Sequence, residues 1–99
     1  MPTQSRLTAY KQNRLQQLRG FCFTALTGSV SRAAEKLLLS QPSVSLQIKA
    51  LEKEFGATLI ERHGRRITLT PDGELLYKLA ESLVQSIDTL RHEFTARRD

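Results

Sequence analysis

The segment Ser40-Gln41-Pro42-Ser43-Val44-Ser45-Leu46-Gln47-Ile48-Lys49-Ala50-Leu51-Glu52-Lys53-Glu54 constrains this chain most, because it reads as a helix with two unlike faces. On a helical wheel Val44, Ile48, Leu51 and Phe55 share one stripe, the spacing of a core-facing surface. The opposite side carries Pro42, Ser45, Leu46, Lys49 and Lys53, with Ser43 beside them. Ser40 is a good N-cap, and Pro42 is tolerated in the first turn, where its missing N–H has no intrahelical partner. The outward face is short, hydrogen-bonding and cationic, with no acid at its N-terminal end. Such a face suits insertion into the DNA major groove, where small polar groups and an apolar contact meet base edges.

Upstream lies Ser31-Arg32-Ala33-Ala34-Glu35-Lys36-Leu37-Leu38-Leu39. Ser31 is read as an N-cap, with Ala33, Ala34, Leu37 and Leu38 as a compact inward face. Two short helices joined by a link of two or three residues predict a helix-turn-helix, the alternative being an ordinary helical hairpin. After Phe55, Gly56 supplies a left-handed C-cap. Thr58–Arg62 and Arg65–Leu69 then read as two short strands around His63-Gly64, which places Arg62 and Arg65 across the turn from each other. Like charges facing each other repel, so a purely structural hairpin gains nothing from them. A ribbon lying along DNA does gain, because arginine binds phosphate and fits the narrow minor groove. The other reading is a solvated charged turn.

From about Asn13 onward the chain resembles the LysR-type transcriptional regulators. The resemblance is carried by Leu15–Phe21, Gly28–Leu37, Ser40–Ser45, Ile48–Glu52, Phe55–Arg62 and Leu69-Thr70-Pro71-Asp72-Gly73, in that order and spacing. It implies a mainly α fold: a winged helix-turn-helix of three helices and a two-stranded wing, followed by a long linker and dimerisation helix. It places the winged domain over residues 13–70, with the helix-turn-helix at about 30–49 and the wing at about 58–69. The linker then covers 71–99, and 1–12 form a basic N-terminal tail. The resemblance also implies that Gln41, Pro42, Ser43 and Ser45 sit at base edges and that the wing arginines reach the minor groove. Arg65 is assigned to the minor groove. Ser31, Arg32, Lys36, Lys49, Lys53, Arg62 and Arg66 are assigned to phosphates or, for Arg62, to support of the wing.

Two features depart from that family. Position 46, commonly arginine or histidine there, is Leu46, which is either an apolar contact with a thymine methyl or an idle exposed residue. Family members usually begin close to the first helix, whereas here residues 1–12 precede it, holding Arg6 and Lys11 and no acid. A basic arm near DNA and a disordered tail both fit that composition.

Charge is distributed as a phosphate footprint requires. Residues 1–70 hold eleven basic and four acidic residues, net +7, whereas residues 71–99 hold four basic and six acidic, net −2. No stretch is long and apolar enough to cross a bilayer and the N-terminus lacks a secretory hydrophobic core, so no membrane partner and a cytoplasmic location are expected. Cys22 falls at core spacing with Leu15, Leu18 and Leu26 and reads as a small buried hydrophobe.

The last third begins with Thr70 as cap and Pro71 as first residue, Asp72 and Glu74 favouring the helix dipole. It runs unbroken to about Arg97. Leu76, Ala80, Leu83, Ile87, Leu90 and Phe94 recur at four-three spacing, a heptad seam predicted to pair two copies of the chain. In the family that helix joins two subunits, so the expected partners are duplex promoter DNA, read as an inverted repeat, and a second copy. A full-length protein could extend this to a tetramer. A small-molecule effector is expected only through a domain absent from this chain.

No His, Cys or acidic residues have metal-ligand spacing and no glycine loop cradles a phosphate, so no metal, cofactor or catalytic residue is expected. Two alternatives remain: a winged-helix module for protein–protein assembly, and the DNA-binding domain of a related oxyanion-sensing regulator.

Overall fold

A computed structural model describes residues 13–98, so the N-terminal tail 1–12 lies outside the described residues. Four helices and a ribbon follow in the order α1 (Arg14–Thr27), α2 (Val30–Leu37), α3 (Gln41–Phe55), β1 (Ile60–His63), β2 (Arg66–Leu69) and α4 (Pro71–Arg98). This is a winged helix-turn-helix with a long helix appended.

Each helix begins at a side-chain cap. Asn13 accepts from the Gln16 N–H at 3.2 Å, and Ser40 from the Ser43 N–H at 3.2 Å. Helix α2 is capped by Ser29, not Ser31: the Ser29 hydroxyl accepts from the Arg32 N–H at 3.1 Å. Val30 is buried as the first helical residue, and burying it draws the helix start two residues back. Thr70 accepts from the Gly73 N–H at 2.9 Å and its hydroxyl donates to the Thr58 carbonyl, so one side chain caps α4 and ties it to the wing. Gly56 ends α3 at φ 63°, in the left-handed region that glycine enters without a Cβ penalty.

Leu38 does not join the inward face expected of it. It is the C-cap of α2, at φ 58° and 91% exposed, because the helix ends at Leu37. Phe55 and Leu26 also leave their expected core stripes: each lies at the last turn of its helix, on the rim of a groove against α4, and stays exposed. The core itself is Phe21, Val44, Ile48, Leu51 and Leu59, sealed by Ala33 and Ala34, whose small side chains let α2 close on its neighbours.

The ribbon is antiparallel, pairing Ile60 with Leu69, Glu61 with Thr68, Arg62 with Ile67 and His63 with Arg66. The turn is therefore Gly64-Arg65, one residue later than His63-Gly64, and Arg62 faces Ile67 instead of Arg65. Gly64 has φ 64° while Arg65 keeps negative φ, matching a two-residue hairpin with glycine first. That register puts Ile67 in the core and takes Arg62 and Arg65 out of direct cross-strand opposition. The wing is docked by the Ile67 N–H on the Gly28 carbonyl at 2.9 Å and by the Leu59 N–H on the Glu52 carboxylate at 2.9 Å.

Helix α4 spends part of its heptad seam on its own domain. Ala80 is 4% exposed and packs into the core with Val84, and Leu76 packs against the same cluster. Leu83, Leu90 and Phe94 are exposed, as are Leu75 and Leu79, which the four-three spacing had omitted. The apolar arc of α4 is simply wider than a heptad stripe: one flank meets α1, the other is open.

Cys22 is buried between α1 and α4, as its spacing suggested. Burial, and secondarily the Glu81 carboxylate, pushes its thiol from the ordinary 9.0 up to about 11. A proton held more tightly in the folded state means this contribution to stability is complete below pH 9.0 and is lost as pH rises toward about 11. At pH 8 the native thiol should react with an aromatic disulfide reagent roughly 100-fold more slowly than in the urea-unfolded chain, as read by absorbance. Equal rates would show that solvent reaches Cys22.

Candidate nucleic-acid interface

The outward face of α3 is built by default: once Val44, Ile48 and Leu51 are drawn into the core, the far side of the helix must face solvent. Gln41, Pro42, Lys49 and Lys53 are exposed there, Leu46 is 67% exposed, and Ser43 and Ser45 are half-buried on the flanks. Ser40 donates its hydroxyl to Ser43 Oγ at 2.9 Å, which orients the first turn. Neither α2 nor α3 has an acid in its first turn, so both present an uncompensated positive dipole end.

The ribbon stands beside this helix start. A groove of about 750 Å³ runs between them, bounded by Ser31 and Arg32 on α2, Gln41 on α3, and Arg62 and Arg65 on the wing. The fold thus gathers five of the residues singled out in the sequence, drawn from three elements. One acid, Glu35, also lines this groove, and sequence reasoning had assigned it no place there. Its only local signal was a position one helical turn from Ser31 and Arg32.

Two assigned cations stand apart. Arg66 pairs across the ribbon with His63, on the face away from Arg62 and Ile67. That face is ordered by His63 Nε2 lying 3.0 Å from Thr68 Oγ1. Lys36 turns toward α1, its ammonium 5.9 Å from the centroid of the Phe23 ring. Sequence reasoning also missed Glu52, which holds the root of the wing through the Leu59 N–H; its signal is invisible without the fold, since the two are seven residues apart in different elements.

Among the described residues no three His, Cys, Asp or Glu side chains gather where a metal ion could be held. No described helix is long and apolar enough to cross a membrane.

These features define a winged helix-turn-helix with a recognition-type helix and a basic wing. The family described as "Bacterial regulatory helix-turn-helix protein, lysR family" matches residues 15–74, and the chain belongs to it, carrying its DNA-binding domain. The chain is 42% identical over 79 residues to the HTH-type transcriptional regulator CysL of Bacillus subtilis, covering 80% of this chain and 26% of that protein. It is 40% identical over 81 residues to the HTH-type transcriptional activator CmpR of Synechocystis, covering 82% and 27%. The chain therefore spans about a quarter of the length of these relatives. Among solved structures, the BenM DBD/catB site 1 DNA complex superposes with a TM-score of 0.73 at 35% identity, covering 84% of this chain and 92% of that one. The CbnR DBD–DNA complex gives 0.71 at 30% identity, covering 87% and 99%.

Proposed function

We propose that this chain binds duplex promoter DNA sequence-specifically as a two-fold dimer, acting as the DNA-binding part of a cytoplasmic transcriptional regulator and catalysing no reaction. The observation that carries this reading is the convergence of the α3 N-terminus, the α2 N-terminus and the wing arginines on one groove. Gln41, Pro42, Ser43, Ser45 and Leu46 read base edges in the major groove, Leu46 through a thymine methyl. Arg65, at the tip of the turn, enters the minor groove, and Ser31, Arg32, Lys49, Lys53 and Arg62 meet phosphates. Arg66 and Lys36 are peripheral, for the geometric reasons given above. Residues 13–70 form the recognition unit and 71–99 the linker.

The dimer reading is supported by the open flank of α4. Leu75 and Leu79 line an apolar groove with Phe55, and Leu83, Leu90 and Phe94 continue along the helix. Twenty-eight residues of helix span about 42 Å, farther than the winged domain covers. Leu76 and Ala80 are left out of the interface because they already serve the core. Sedimentation at high micromolar concentration should show a dimer; a monomer there would remove this part of the reading.

Recognition is tested by fluorescence anisotropy on the duplex upstream of the chain's own gene against a shuffled duplex, each at low and near-physiological salt. A preference that survives salt is expected. Equal binding that vanishes with salt would reduce the surface to a nonspecific cation patch.

A further inference from the structure

The last side chain that anchors α4 to the winged domain is Asp88. Its carboxylate accepts from the Arg19 guanidinium of α1 at 2.8 Å, across 69 positions of sequence. Arg19 is itself held on its other side, its guanidinium carbon 5.8 Å from the centroid of the Phe23 ring. An arginine pinned against an aromatic face loses little further freedom on meeting a carboxylate. The pair is partly exposed, so it contributes little to stability. Its position gives it another use.

Before Asp88, the root of α4 is tied to the wing through Thr70, and its middle packs on the core through Leu76, Ala80 and Val84. Beyond Val84, among the described residues, no side chain of the buried core belongs to α4, so the direction of its distal part is left to the Arg19–Asp88 pair. After Asp88 the remaining ten residues of α4, up to Arg98, are exposed and act as a lever. At 1.5 Å per residue the lever is about 15 Å long, so a tilt of about 10° moves its tip by about 2.6 Å. In a two-fold pair both levers tilt, and the recognition helices shift by about 5 Å, more than the ~3.4 Å rise of one base pair.

We propose that the Arg19–Asp88 pair, braced by Phe23, sets the angle of α4 and thereby the half-site spacing that the dimer accepts. The proposal rests on the dimer reading above. Arg19 and Asp88 are positioning residues and touch no base.

The test uses the 99-residue chain and duplexes carrying two inverted copies of a half-site selected from random DNA, with the spacer varied by one and two base pairs. The native chain should lose roughly tenfold in affinity when the spacer departs from its optimum, because a rigid connection makes the second contact geometry-dependent. Asp88→Asn and Arg19→Gln should each flatten that dependence to about threefold or less, while affinity for a single half-site relative to random DNA and the melting temperature stay near native. The charge exchange Arg19→Asp with Asp88→Arg, which remakes the ion pair without the Arg19 stack on Phe23, should restore part of the sharp profile. A native spacing preference retained unchanged in both single variants overturns the proposal alone. A native chain that is indifferent to spacing yet dimeric in sedimentation also overturns the proposal, whereas a monomer in sedimentation overturns the dimer reading and this proposal with it.

Discussion

Replacing Gln41 by alanine should cost about 1–3 kcal/mol of affinity for the cognate duplex and almost nothing on random DNA. Gln41 is the first residue of α3, exposed, and lines the groove beside Arg62 and Arg65. A glutamine amide both donates and accepts, so it can match the adjacent donor and acceptor of an adenine edge, which alanine cannot replace. It carries no charge, so its loss leaves the phosphate attraction intact. Lys53 is the contrast: exposed on the same helix, it should on replacement by alanine weaken all sequences alike and lower the salt slope by about one. Anisotropy titrations of both variants over a range of salt separate the two behaviours. Equal losses for Gln41→Ala on cognate and random DNA would show that this side chain does not read bases.

Gly73→Ala should destabilise the domain by roughly 3 kcal/mol, at the upper end of overpacking effects. A Cβ at position 73 would sit 2.0 Å from the Leu59 carbonyl oxygen and 2.9 Å from its carbon, both backbone atoms at the root of the wing. That backbone cannot withdraw, because the same carbonyl accepts the Thr70 N–H at 3.1 Å and the neighbouring Leu59 N–H is held by Glu52. The first turn of α4 must therefore lift away from the wing, loosening Thr70's double attachment. A melting temperature lowered by about 15 °C is expected for a domain of this size. Gly20 gives the internal comparison: its added Cβ would meet the Gln47 Oε1 at 2.3 Å, but that is the free end of a flexible side chain. Gly20→Ala should therefore cost clearly less than Gly73→Ala, by thermal melts of both. A reversed order would mean that α3, and not the wing, is the rigid partner.

Much of this fold is legible because its signals are local. Ser40, Pro42, Gly56, Thr70 and Pro71 act within a few residues of themselves, and each delimits a helix in the structure as in the sequence. The Val44, Ile48 and Leu51 stripe likewise follows from helical period alone. Errors came where two local options were equally good. Ser29 and Ser31 can each cap a helix, and only the burial of Val30 chooses between them. His63-Gly64 and Gly64-Arg65 can each make the turn, and the choice falls to the register that buries Ile67.

By itself, then, the amino-acid order determined the helices, the caps of α3 and α4, the presence of a basic wing and the two-faced character of α3. Tertiary structure alone decided which apolar residues are covered: Phe55, Leu26 and Leu38 are as hydrophobic as their buried neighbours, but they fall at helix ends and rims that the packed core does not close over. It also decided that Ala80 serves the chain's own core, that Arg32, Gln41, Arg62 and Arg65 share one groove, and that Arg19 reaches Asp88. The physical reason is range. Capping, turn and periodicity energies depend on neighbours a few residues away, whereas burial and ion pairing depend on what the rest of the chain brings to the same place.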